Sequence, residues 1–222
     1  MLLFRASTPM TVLTARSSVT VFLAFAFAYF LSAVIRAITA TLSPLLTQEF
    51  GLQARDLGLL AGGYFLGFSL TQMPLGNWLD RHGPKRVQVC FLAVAVLGCL
   101  AFSAATSFSE LLAATVLCGV GVSACLMAPL TGYRRWFAPA TQTRSNAWML
   151  MTGSSGMVAS TLPVQWLLPL VGWRPLFLAL AIALVAWRVP VWGRPAAPVD
   201  ATARGSGSAQ VWRNPYFSSC WA

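Results

Sequence analysis

Charge is what this sequence of 222 residues has least of. Only 9% of its residues are charged, with five Asp and Glu in all and one histidine, against 57% hydrophobic residues and a mean hydropathy of +0.69. A soluble domain carries roughly a quarter charged residues, so a water-soluble globule is excluded. The single histidine, His82, leaves no Ser, His and Asp set and no metal-spaced cluster, so no enzyme, metal site or cofactor is expected. The cysteines Cys90, Cys99, Cys118, Cys125 and Cys220 are odd in number, and four of them lie within apolar runs. They read as small buried residues rather than as a disulfide frame.

What is present is base. Fifteen Lys and Arg give a formal net charge of +10. Nucleic acid would require a continuous basic face, whereas these bases form small clusters between long apolar runs, the pattern of a polytopic membrane protein. A spanning helix needs about 20 mostly apolar residues, because the hydrocarbon core is about 30 Å thick and a helix rises about 1.5 Å per residue. Six segments qualify: 18–42, 56–79, 87–106, 110–132, 146–168 and 175–192. The predicted fold is therefore all-α and integral to the membrane, a bundle of six transmembrane helices over residues 18–192, between a tail at 1–17 and a terminal region at 193–222. The first segment is too long for the apolar core of a signal peptide and lacks a cleavage site, so it is read as a retained helix.

The bases set an orientation. Arg5 and Arg16 precede the first segment, Arg81, Lys85 and Arg86 join the second to the third, Arg134, Arg135 and Arg144 join the fourth to the fifth, and Arg188, Arg194, Arg204 and Arg213 close the chain. Only Arg55 and Arg174 fall on the opposite side, so the positive-inside rule predicts both termini to be cytoplasmic. Gly193 to Gln210, rich in Ala, Pro, Gly and Ser, reads as a flexible cytoplasmic linker. Val211 to Phe217 turns aromatic again, as the approach to a seventh helix would, and the sequence stops at Ala222.

Between the second and third segments the chain reads Gly76-Asn77-Trp78-Leu79-Asp80-Arg81-His82-Gly83-Pro84-Lys85-Arg86. Gly83-Pro84 breaks the helix, Asp80 can accept charge-assisted hydrogen bonds, and the bases hold the turn at an anionic leaflet. Taken alone this is a short positive-inside loop. Its spacing, however, resembles the signature of the major facilitator superfamily, Gly-x-x-x-Asp-Arg-x-Gly-x-Lys/Arg-Lys/Arg, with Gly76, Asp80, Arg81, Gly83, Lys85 and Arg86 all matching. Tyr133 to Pro139 with Arg144 and Ser145 is similar to that superfamily's fourth-to-fifth connection, and Gly172-Trp173-Arg174-Pro175-Leu176-Phe177 to the start of its sixth helix.

The resemblance implies a transporter of twelve helices in two halves of six, each half a 3+3 inverted repeat, with the substrate held between the halves and access alternating by rocking. This chain matches the N-terminal half, so a truncated product or fragment is expected. The family's Asp80-type carboxylate helps latch one half to the other, which makes the missing half, or a partner subunit, the expected partner beside the lipid bilayer and a small-molecule substrate. Departures from the drug:proton antiporters weigh against proton-coupled drug efflux. Thr115 stands where those proteins carry an arginine, Gly156-Met157 replaces their Gly-Pro pair, and no buried carboxylate is left to carry a proton.

Small residues recur at helical spacing: Gly58, Gly62, Gly63 and Gly67 in the second segment, Gly119, Gly121, Ser123 and Ala124 in the fourth. They permit close backbone approach, either for static packing or for sliding against another half. Gly153, Gly156 and Pro163 could loosen the fifth helix where it lines a cavity.

Arg36 lies within the first segment, apart from the clusters at the segment ends to which Arg188 belongs. A guanidinium near the bilayer centre costs about 3 kcal/mol on insertion scales, so it is expected to face a wet cavity or a partner. Glu49, Asp56 and Glu110 lie at or beyond the segment ends, so no acid matches its depth. An unpaired arginine in a cavity can grip a carboxylate or phosphate bidentately. The alternative is snorkelling past the end of the segment at Leu42, six residues or about 9 Å away. An arginine similarly placed on helix one of the organophosphate:phosphate antiporters binds substrate phosphate, and by that likeness Arg36 implies an anionic substrate. Tyr29, two turns away near the same face, lines the same cavity or packs against the fourth helix.

The expected function is secondary active transport of a small organic anion across a bacterial-type inner membrane, with Arg36 and Tyr29 at the substrate and the Gly76 to Arg86 motif as a gate. The alternative is a non-transporting membrane protein, a remnant or a half-transporter that needs a partner.

Overall fold

The computed structural model describes residues 15–136 and 139–192. Most of the expected tail at 1–17, the linker at 193–210, the aromatic stretch at 211–217 and Cys220 lie outside the described residues. Among the described residues there are eight helices and no strand: α1 (Ala15–Phe50), α2 (Ala54–His82), α3 (Pro84–Ala104), α4 (Phe108–Val122), α5 (Ala124–Trp136), α6 (Pro139–Ala159), α7 (Leu162–Val171) and α8 (Trp173–Trp192).

Three helical runs are long and apolar enough to cross a membrane: Val19–Phe50, Pro84–Ala104, and Phe108–Arg134, which joins α4 to α5. Counting α7 with α8, which meet at a 118° bend, makes four. The α2 and α6 helices, at 29 and 21 residues, are long enough but less apolar. The reason is visible in their residues, since α2 carries five glycines with Gln72 and Asn77, and α6 carries Thr152-Gly153-Ser154-Ser155-Gly156.

Boundaries differ from expectation where side chains stand in for lost backbone bonds. The first helix was expected to end at Leu42 and runs to Phe50, through Pro44. Proline lacks the N–H that would bond the carbonyl four residues back. Here the Ser43 hydroxyl donates to that carbonyl, of Ala40, at 2.9 Å. The expected fifth segment is interrupted at Ser160–Thr161, just ahead of Pro163, and the Thr41 hydroxyl of α1 donates to the Ser160 carbonyl at 2.9 Å.

Packing joins α3 to α4 and α8, α2 to α4, and α1 to α6 and α8. Glycine sets the close approaches. A Cβ at Gly63 or Gly67 would run into Leu112 or Val116 of α4, one at Gly119 into the α2 backbone, and one at Gly156 into the Phe30 carbonyl at 2.6 Å. These glycines serve static packing. Gly58, Gly62 and Gly76 have nothing within 4 Å and lie on an open face of α2.

The cysteine reading needs one correction. Cys99, Cys118 and Cys125 are buried, but Cys90 is exposed, because its position on α3 turns away from the α4 and α8 contacts.

Candidate functional site

The chain reverses at one end of the bundle through a single residue. Gly83 takes φ +78° and ψ 158°, conformations essentially restricted to glycine, and its N–H donates to the Leu79 carbonyl at 3.0 Å. Pro84 then opens α3, at the helix position where its missing N–H costs nothing. Asp80, Arg81 and Arg86 are exposed around this turn and Lys85 is half-buried, with Gly76 one turn earlier on the open face of α2. The six motif residues therefore share one corner. Tyr133 of α5 packs on Phe22 and Phe25 of α1, which puts the exposed Arg134 at the end of the bundle where α1 begins.

The opposite end is closed by an aromatic and ionic cluster. Phe102 of α3 stacks on Phe177 of α8 with centroids 3.9 Å apart, and Trp173 stands edge-on to Phe102 at 5.8 Å. The Trp173 indole N–H donates to Glu49 of α1, and Arg174 pairs with the same carboxylate at 2.9 Å. Arg174 also donates to the Ala105 carbonyl at 3.3 Å and lies over the Trp173 ring.

Arg36 lies between these ends, near the middle of α1. With α1 extended to Phe50, it stands 14 residues from the helix end, about 21 Å along the axis. Its Nε is shielded from solvent and has no hydrogen-bond partner, and Arg36 forms no ion pair with any described residue. The guanidinium lies over the Phe68 ring of α2, 5.7 Å from the centroid. One turn before Phe68, Tyr64 is 4% exposed, and its hydroxyl, close enough to feel the guanidinium charge, is also buried without a partner. Cys125 of α5 lies within the same field.

Tyr29 is placed elsewhere. It is buried with its ring in the notch left by Gly153 of α6, so it packs against the fifth apolar segment rather than the fourth. The structure brings Tyr64 and Phe68 to Arg36. Sequence reasoning missed both because they depend on which face of α2 meets α1. The usable signal was the placing of Tyr64 between Gly63 and Gly67, the glycines that fit α2 onto α4. Thr115 is buried, and its hydroxyl donates to the Leu111 carbonyl at 2.7 Å. It borders a crevice with Tyr64, Thr39, Phe102 and Phe177 that leaves no room for water.

Comparison with known proteins adds the family context. The sequence profile of the Major Facilitator Superfamily matches residues 25–222. A nitrate/nitrite transporter, NrtP, of Picosynechococcus sp. is 30% identical over 116 residues, 51% of this chain and 21% of that protein. The 4-hydroxybenzoate transporter PcaK of Pseudomonas aeruginosa is 27% identical over 149 residues, 67% of this chain and 33% of that protein. A probable sulfoacetate transporter, SauU, of Cupriavidus necator is 22% identical over 160 residues, 72% of this chain and 37% of that protein. The chain thus matches between about a fifth and just over a third of the length of these relatives.

Proposed function

Because this chain belongs to the Major Facilitator Superfamily of membrane transporters, we propose that it is the N-terminal six-helix half of a secondary active transporter that moves a small organic anion by alternating access. The observation that carries the substrate class is Arg36. Arg36 is half-buried in mid-helix, its Nε is shielded from solvent without a partner, and no described carboxylate pairs with it; such a charge is costly in hydrocarbon, and an anionic ligand would balance it.

Packing supports the six-helix, 3+3 reading. The α2 helix lies on α4 and α1 lies on α6, and these two contacts exchange when the first three expected spans are superposed on the last three. The protein is a multi-pass membrane protein. The inner membrane with cytoplasmic termini is the orientation its bases favour.

A complementary six-helix bundle is the proposed partner. Met73 on α2 is 91% exposed, and Trp166 and Leu170 on α7 are 76% and 83% exposed, apolar surface for lipid or that partner to cover. The turn from Gly76 to Arg86 would sit beside that partner and take part in its gating.

The test is uptake of radiolabelled benzoate, sulfoacetate and nitrate by the chain joined to its complementary half. Arg36→Gln is expected to insert at wild-type levels and lose uptake. Wild-type uptake by that variant would overturn the substrate class. Failure of every anion to move, with any partner, would favour a membrane protein that does not transport.

A further inference from the structure

We propose that Tyr64 is a second ligand of the anion held by Arg36, and that the two residues select a monovalent planar oxyanion, a carboxylate or nitrate, over phosphate. This rests on the anion-binding reading of Arg36 and extends it to a specificity-determining residue and a narrower ligand class.

Two polar atoms at this place are buried and unsatisfied, Nε of Arg36 and the hydroxyl of Tyr64. Buried polar atoms without partners are uncommon and costly, and here two occur side by side on different helices. The guanidinium can only donate, and the phenol lies close enough to feel its charge, yet neither Nε nor the hydroxyl has a partner at good hydrogen-bond geometry. A ligand with two adjacent acceptor oxygens satisfies both atoms at once, with Arg36 donating to one and Tyr64 to the other.

Phe68 narrows the shape. Its ring lies beside the guanidinium, 5.7 Å from centroid to Cζ, and cannot accept a conventional hydrogen bond, so recognition falls to the planar fork of N–H groups, which match oxygens lying in one plane. Charge narrows the class further. In this half Arg36 is the one cation with a described side chain at this depth, since Arg55, Arg81, Lys85, Arg86, Arg134, Arg144 and Arg174 stand toward the helix ends. A monoanion is neutralised by it. A phosphate dianion would keep an unbalanced charge in a medium of low dielectric.

The absent partner also gives a readout that a purely structural tyrosine would not. Removing an unsatisfied hydroxyl relieves the empty protein of a burden while depriving the anion of a donor. The experiment uses the chain joined to its complementary half, purified in detergent, with sodium benzoate, nitrate and inorganic phosphate at constant ionic strength, followed by calorimetric titration and by Tm. Wild type is expected to bind benzoate or nitrate more tightly than phosphate. Tyr64→Phe is expected to raise the dissociation constant for the monoanion by about tenfold while its ligand-free Tm equals or exceeds that of wild type. Arg36→Gln is expected to bind none of the three.

Loss of binding in Arg36→Gln with wild-type affinity in Tyr64→Phe overturns the role of Tyr64 and leaves the anion site standing. A ligand-free Tm of Tyr64→Phe below wild type also overturns that role, because the hydroxyl then has a structural partner. Phosphate bound as tightly as the monoanions overturns the ligand class. Anion binding that survives in Arg36→Gln, or no anion binding in wild type, overturns this proposal together with the reading beneath it.

Discussion

Glu49 of α1 pairs with Arg174 of α8 at 2.9 Å, tying the end of the first long helix to the start of the last. The same carboxylate accepts from the Trp173 indole, and Arg174 reaches on to the Ala105 carbonyl at 3.3 Å, so one acidic side chain organises three helix ends. The two charged side chains are 46% and 34% exposed, which holds the ion pair itself to a fraction of a kcal/mol. The indole bond adds about 1 kcal/mol. Glu49→Ala is therefore expected to lower stability by about 1–2 kcal/mol, and Glu49→Gln by less, because an amide oxygen still accepts from Trp173. Thermal unfolding in detergent measures both, and equal losses would show that charge rather than the indole contact dominates.

Gly83 and Gly76 belong to one motif but separate on substitution. Gly83 sits at φ +78°, ψ 158°, so Gly83→Ala is expected to cost about 1–3 kcal/mol and to loosen the α2 to α3 turn. A Cβ at Gly76 meets nothing within 4 Å. Gly76→Ala should leave the Tm of this chain unchanged and reduce transport only when the complementary half is present. A fall in Tm for Gly76→Ala in the isolated chain would mean that this face is already occupied.

Glycines on the buried and open faces give a similar contrast. At Gly156 a new Cβ would come 2.6 Å from the Phe30 carbonyl and 3.0 Å from the Ala33 Cβ, so α1 and α6 must part to admit it. Overpacking of this kind costs about 1–3 kcal/mol. At Gly62 there is open space, and Gly62→Ala should be neutral or gain about 1 kcal/mol from better helix propensity. Paired Tm measurements on the two alanine variants check this, and a larger loss at Gly62 would contradict the assigned faces.

Helix content and the reversing turn were legible in the sequence because they are local. Long apolar runs name their helices, and Gly83-Pro84 names the break. The ends of the runs were less legible. Leu42 ends the most apolar stretch, but Ser43 lends its hydroxyl to the carbonyl that Pro44 leaves free, and the helix continues to Phe50. That extension leaves Arg36 14 residues from the helix end, where six separated it from the expected end of the segment. The neighbours of Arg36 were not legible at all, since a residue's own helix says nothing of which turn of α2 it meets. Tyr29 was chosen by spacing along α1, and Gly153 claims it for α6.

Orientation is open to a direct measurement at two exposed positions. His82 lies at the end of α2 among Arg81, Lys85 and Arg86, and Gln53 caps the other end of the same helix, its N–H donating to Asp56 at 2.9 Å. A helix of 29 residues is about 43 Å long, enough to carry these two residues to opposite faces of a bilayer. Lys and Arg cross membranes poorly in short loops, so the His82 end is expected to remain cytoplasmic. In a background with the native cysteines replaced by alanine, Gln53→Cys should react with a membrane-impermeant maleimide in intact cells, and His82→Cys only after permeabilisation. The reverse pattern would place Arg81, Lys85 and Arg86 outside the cell and overturn the orientation. Labelling of both variants in intact cells would show that α2 does not span.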